Sequence, residues 1–146
     1  MDAEYGNAGD IDTRGTGWFV GFGDWLGTGA AGTLRHVPND ARQHGLCVKW
    51  MHHPAGDDRG RDKPVSEGRT LSILVSDGGR FRLQLSTHES FVAAHTVERV
   101  LQRHGDFALW GPGLHHRYFV DADCVILTLR WTPDEVQAAP SVPAGR

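Results

Sequence analysis

Two histidine pairs carry the reactive character of this sequence, His52-His53 and His115-His116. An imidazole titrates near neutrality, so it both accepts and donates protons there, and its bare nitrogen also ligates metals. The second pair stands directly behind Gly111-Pro112-Gly113. That is a sharp turn, in which glycine takes positive φ and proline fixes its own. Such a turn delivers side chains to the start of a strand, here one running on through Tyr118. The first pair ends an apolar run from Gly45 to His53 that Pro54 stops. Neighbours in a regular strand point to opposite faces, so only one histidine of each pair reaches a common interior. With His53 inward, Met51, Lys49 and Cys47 share its face. A buried lysine is costly unless paired, which marks Lys49 as a reactive candidate.

Further polar groups alternate with apolar ones on other predicted strands. Arg82 and Gln84 do so within Arg80 to Leu85, and Thr128 and Arg130 within Cys124 to Trp131. Facing a cavity, the arginines would grip a carboxylate or phosphate bidentately, and Trp50, Trp110 or Tyr118 would stack on a ring. His88, His95 and His104 read as surface residues. Cys47 and Cys124 have no activating neighbour in sequence and no CxxC spacing, so they read as small packed residues in a reduced, cytoplasmic protein.

The elements that position these groups are strands. Residues 1–15 read as a flexible tail rich in Gly and Asp, 16–132 as one domain, and 133–146 as a second flexible tail. Trp18 to Trp25 has the aromatic content of a strand, and its glycines suggest an edge where a second copy pairs into a homodimer. Gly27 to Gly32 lacks the spacing and the Lys-Ser/Thr of a phosphate loop. A short strand fits Leu34 to Pro38, and the charged, glycine-containing stretch Ala55 to Gly68 reads as a loop over the mouth. Arg69 to Ser76 is a strand closed by an Asp77-Gly78-Gly79 hairpin onto Arg80 to Leu85. Residues 89–104 mix helical spacing with a strand near Val97 to Leu101. Phe107 to Trp110 and Cys124 to Trp131 complete the set.

The 146 residues suffice for one domain with its own core. A net charge of −3 without a basic stripe argues against a nucleic-acid partner. No apolar run reaches the roughly 20 residues that span a bilayer, and no signal-peptide pattern opens the chain. The expected partner is a small molecule.

From Gly105 the chain reads GDFALWGPGLHHRY, which resembles the second motif of the cupin superfamily. That motif is glycine, five residues, proline, any residue, glycine, two residues, histidine. Gly105 opens it, Gly111 stands at the proline position, Gly113 is its second glycine, and His116 is its histidine. Val120 replaces the asparagine that often follows. Counting the first cupin motif from Gly45 puts its two histidines at Met51 and His53, and its glutamate at Leu71. The resemblance implies an all-β double-stranded β-helix, or jelly-roll barrel, with a site at its mouth around His116 and one of His52 and His53. It implies cofactor-free acid/base chemistry (dehydration, isomerisation or epimerisation) on a small polar or anionic metabolite. His53, His116, Lys49 and Tyr118 would be the catalytic groups, and Arg82, Gln84, Trp110, Thr128 and Arg130 the substrate contacts. As the runner-up it implies a metal-dependent oxygenase, with Fe, Mn, Ni, Zn or Cu on His52, His53 and His116, and as a further alternative a ligand-binding barrel without catalysis.

Overall fold

The computed structural model describes residues 1–22, 33–37 and 43–133. The regular structure of the described residues is strand, apart from 3-10 turns at Ala8–Asp10 and Ala93–His95, with loops and turns between. Ten strands follow in order: β1 Ala3–Asn7, β2 Gly21–Phe22, β3 His36–Val37, β4 Gln43–His53, β5 Arg69–Leu74, β6 Arg80–Ser86, β7 Thr96–Leu101, β8 Asp106–Trp110, β9 His115–Ala122 and β10 Cys124–Pro133. A five-stranded antiparallel sheet runs β1-β8-β5-β10-β4, and a three-stranded one runs β7-β6-β9. β2 and β3 form a short parallel pair.

Period-2 alternation builds two apolar layers. Leu74, Ala108, Trp110 and Ile126 of the large sheet meet Phe81, Leu83, Leu85, Tyr118 and Val120 of the small one. The large sheet is apolar on its back as well, where Leu71, Phe107, Leu109 and Trp131 pack under Phe19, Val20, Leu34 and Val37. Phe107 is fully buried and meets Phe19 edge-on at 5.2 Å. Full burial of a side chain of this size contributes about 1.5–3 kcal/mol. Towards β4 the same back face is open, and Leu46, Val48 and Trp50 are exposed.

Three sequence expectations change. Residues 1–15 are not simply a tail, because Ala3–Asn7 extends the large sheet along β8, with Ala3 opposite Trp110. Asn7 anchors its end by donating to His104 O and to Asp106. The Trp18 to Trp25 segment contributes only the two residues of β2 to a strand within the described residues, and Gly23 to Trp25 lie outside them. Asp77-Gly78-Gly79 is not a hairpin. β5 pairs with β8 and β10, β6 with β7 and β9, so the turn carries the chain from one sheet to the other. Gly79 makes the crossing at φ 141°, and a Cβ there would collide with Cys124. Residues 96–101 are strand, as the second half of the ambiguous 89–104 stretch suggested.

Candidate functional site

A cavity of about 430 Å³ lies between the sheets. Its large-sheet wall grows more polar along the strands. Ile126 pairs with Leu74 and Met51; two residues on, Thr128 pairs with Ser72 and Lys49; then Arg130 pairs with Thr70 and Cys47. The polar rungs are tied across the sheet, Ser72 to Thr128 at 3.1 Å and Arg130 Nε donating to Thr70 Oγ1 at 3.1 Å. Opposite stand Phe81, Leu83, His116 and Tyr118, and residues 63–68 close one side. That segment is clasped to the turn after β8, with Ser66 N donating to Leu114 O and Gly113 N to Ser66 O.

His53 closes β4 on the cavity side, 2% exposed, while His52 points out to solvent as alternation requires. Behind it, residues 54–57 turn back with Asp57 N donating to Pro54 O and Gly56 at φ 82°, the conformation that the third residue of a type II turn needs. This brings the buried Asp57 carboxylate to His53 Nδ1 at 2.8 Å. Arg59 closes on the same carboxylate through Nε and Nη2, at 2.8 and 2.6 Å. That guanidinium holds Asp57 well below the usual carboxylate range against the cost of burial. An ionised Asp57 only accepts, so His53 Nδ1 carries the hydrogen and Nε2 is left bare. Burial lowers the His53 pKa, partly offset by the Asp57 bond, and the ring is neutral at pH 7.

Tyr118 packs edge-on against His53 at 5.0 Å and stacks on Phe81 at 4.6 Å. Gly60 lies against the Tyr118 ring, where any Cβ would collide with it. Burial, with Asp57 nearby, raises the Tyr118 pKa, so the phenol keeps its proton. His116, two residues earlier on β9, shares the Tyr118 face. Its Nδ1 meets Ser66 Oγ at 3.1 Å, and Trp110 Nε1 donates to the same oxygen at 2.9 Å. Burial pushes the His116 pKa down to about 4, and Arg130, Lys63, Lys49 and His115 push the same way. Lys49 is lowered too, by desolvation and then by Lys63 and Arg130. Among the described residues, three cations therefore line the cavity against one carboxylate, Glu67. The arrangement attracts an anion and leaves both imidazoles neutral.

Of the residues expected at the site, His53, His116, Lys49, Tyr118, Trp110, Thr128 and Arg130 all line this cavity. Arg82 and Gln84 do not. Phe81, Leu83 and Leu85 take the inner face of β6, so their neighbours point outward, where Arg82 binds Asp121 and Glu98 and Gln84 binds Glu98. Nor are His52, His53 and His116 brought together as metal ligands, since His52 faces away; among the described residues no three His, Cys, Asp or Glu side chains are placed to hold a metal. Cys124 is buried and its thiol is pushed up to about 11 by desolvation, which keeps it from acting as a nucleophile. Asp57, Arg59, Lys63 and Ser66 were missed in the charged stretch before β5. The proline-to-glycine turn returning to Asp57 was the readable signal for the first; Ser66 lies 50 residues from His116.

No family model matches the chain, and no curated protein matches it in sequence. Among solved structures it is similar to Streptomyces albus HEPD with 2-hydroxyethylphosphonate and Fe(II) bound, at 11% identity and a TM-score of 0.50, over 73% of this chain and 28% of that one. It is also similar to RmlC from Streptococcus suis in complex with dTDP-D-xylose, at 17% identity and a TM-score of 0.44, covering 60% of this chain and 43% of that one. A third is the QdtA 3,4-ketoisomerase from Thermoanaerobacterium thermosaccharolyticum, a double mutant in complex with TDP. There the identity is 16% and the TM-score 0.41, over 59% of this chain and 57% of that one. This chain therefore spans less than a third of the first structure's length. The likeness is one of fold: the chain is an all-β, cupin-like barrel.

Proposed function

We propose that the cavity performs non-redox proton transfer on a small anionic metabolite, of the kind that underlies isomerisation, epimerisation or dehydration. The observation that carries this reading is the buried His53–Asp57 pair at 2.8 Å, which turns a neutral imidazole into an oriented base. In the reaction His53 Nε2 takes a proton from the substrate carbon. Asp57 stabilises the imidazolium that results, and Arg59 keeps Asp57 ionised and in place. Tyr118, beside His53 and protonated at neutrality, supplies a proton to the same substrate. Lys49, Lys63 and Arg130 hold the substrate's anionic group, with Arg130 steadied by Thr70.

The test is carbon-bound deuterium uptake in D₂O, read by proton NMR on a panel of small oxo acids, hydroxy acids and sugar phosphates incubated with wild type or His53→Asn. The expected result is uptake in at least one compound, lost by a factor on the order of 100 or more in His53→Asn. Uptake that persists unchanged in the variant would sink the assignment of the base. Binding of panel members without any uptake would leave a ligand-binding barrel.

A further inference from the structure

We infer that His116 meets the ligand as a hydrogen-bond donor, through an Nε2–H that Ser66 and Trp110 hold in place, so that the cavity takes an anion with a carbonyl oxygen at that point. This rests on the proton-transfer reading above and names the substrate feature it acts on.

The argument is one of hydrogen-bond accounting. An indole nitrogen only donates, so at 2.9 Å the Trp110 Nε1–H occupies one lone pair of Ser66 Oγ. Ser66 is 4% exposed and its backbone groups are engaged with Leu114 and Gly113. Its hydroxyl proton has one protein acceptor among the described residues, His116 Nδ1 at 3.1 Å. Were Nδ1 protonated instead, Oγ would receive two hydrogens and its own would go without a protein partner, a costly arrangement for a buried hydroxyl. Nδ1 therefore accepts, and the single ring hydrogen of neutral His116 sits on Nε2.

The two imidazoles of the cavity thus present opposite polarities. His53, fixed by an anion at Nδ1, offers a bare nitrogen; His116, fixed by a hydroxyl at Nδ1, offers an N–H. That combination suits proton abstraction next to a carbonyl. The carbon-bound proton passes to His53 Nε2, the C–H pair becomes the C=C bond, and the carbonyl π pair moves to oxygen. There the His116 N–H stabilises the enolate without giving up its proton. Protonation of the enolate reverses the electron flow, and no oxidant or reductant is needed. His116 is a catalytic residue in this scheme, and Ser66 and Trp110 are positioning residues.

The tautomer is read directly by long-range proton–nitrogen correlation on the full chain labelled with ¹⁵N, with His116 assigned by its loss in His116→Gln. The expected result is an Nε2–H ring in wild type and in Ser66→Thr, and a shift towards Nδ1–H in Ser66→Ala. If Ser66→Ala fails to fold, the wild-type ring decides alone, and Trp110→Phe, which leaves the Ser66 proton its Nδ1 acceptor, should keep the Nε2–H ring. An Nδ1–H ring in wild type or in Trp110→Phe overturns the inference, as does an unchanged ring in a folded Ser66→Ala. Oxalate, a planar dianion resembling an enolate, is the ligand probe. Its affinity should fall about 10-fold or more in Ser66→Ala and be retained in Ser66→Thr. No oxalate binding by wild type would overturn the ligand class. Because the tautomer needs no ligand, it stands or falls separately from the deuterium assay, which His53→Asn decides.

Discussion

Mild acid should cost this protein stability through His116, and the size of the loss follows from its surroundings. Burial and three nearby cations hold the folded-state pKa at about 4, against 6.5 for an unperturbed histidine. The folded pKa is depressed, so the unfolded chain binds the proton more tightly. Stability is then fully present above the unfolded value and is lost as pH falls from about 6.5 towards 4. The whole gap corresponds to about 3 kcal/mol, of which about 2 kcal/mol is lost by roughly pH 5. In a chain of this length that is a fall in Tm of roughly 4–8 °C. The assay is urea unfolding near pH 7 and near pH 5 for wild type and His116→Gln, comparing the differences between the two pH values. Gln does not titrate, so its own cost cancels and the variant should lose about 2 kcal/mol less on acidification. Lys63→Ala removes one of the opposing charges and should reduce the wild-type loss. Equal pH dependence in wild type and His116→Gln would refute the picture of an imidazole kept neutral by burial and cations.

Other outcomes follow from the same geometry. Asp57→Asn should leave the barrel folded but reduce deuterium uptake by about 10–100-fold, because His53 loses the partner that fixes its ring; full activity would remove the pair from the mechanism. Gly60→Val should drive a side chain into the Tyr118 ring and cost about 1–3 kcal/mol in urea unfolding, with altered near-ultraviolet circular dichroism; an unchanged spectrum would show that the backbone at Gly60 does not touch that ring. Arg82→Ala should cost no more than about 1 kcal/mol and leave oxalate affinity unchanged, since its partners Asp121 and Glu98 lie on the outer face; weakened oxalate binding would put Arg82 back at the cavity. Phe107→Ala should cost about 3–5 kcal/mol by the same measurement, and a loss below about 1 kcal/mol would contradict its full burial.

Turn chemistry and strand alternation pointed to the two histidine pairs, and the motif resemblance singled out His116. Gly111-Pro112-Gly113 put the second pair at a strand start, and alternation before Pro54 admitted one of His52 and His53 without choosing; the structure turns His53 inward. Alternation failed where it gave two faces without saying which was inner. In β6 the apolar side faces in, so Arg82 and Gln84 point out. In β10 the same logic would have sent Thr128 and Arg130 out, yet they face the cavity. The large sheet is apolar on both sides, with Leu129 partly buried against the cluster of Leu71, Phe107, Leu109 and Trp131, and polar residues gathered towards one end of the other face. That asymmetry depends on what Ile11, Phe19, Val20, Leu34 and Val37 cover, which no local pattern encodes. The Asp77-Gly78-Gly79 turn misled for a related reason: two flexible glycines permit a hairpin and a crossing equally, and the pairing partners decide. Contacts such as Ser66 to His116 join segments with no common period.

The crossing at Gly78-Gly79 and the pairing of His53 with Cys124 also bear on how the site comes into being. Every strand that supplies the cavity hydrogen-bonds to one distant in the chain: β4 waits for β10, and β5 for both β8 and β10. Loop-closure entropy must be met before such contacts contribute, which makes folding slow and strongly cooperative. A nascent chain that stops before Cys124 has His53, Asp57 and Tyr118 but no strand against which to set β4. The cavity therefore forms in one step, at the end of assembly, and truncated translation products carry its residues without the enclosure that gathers them.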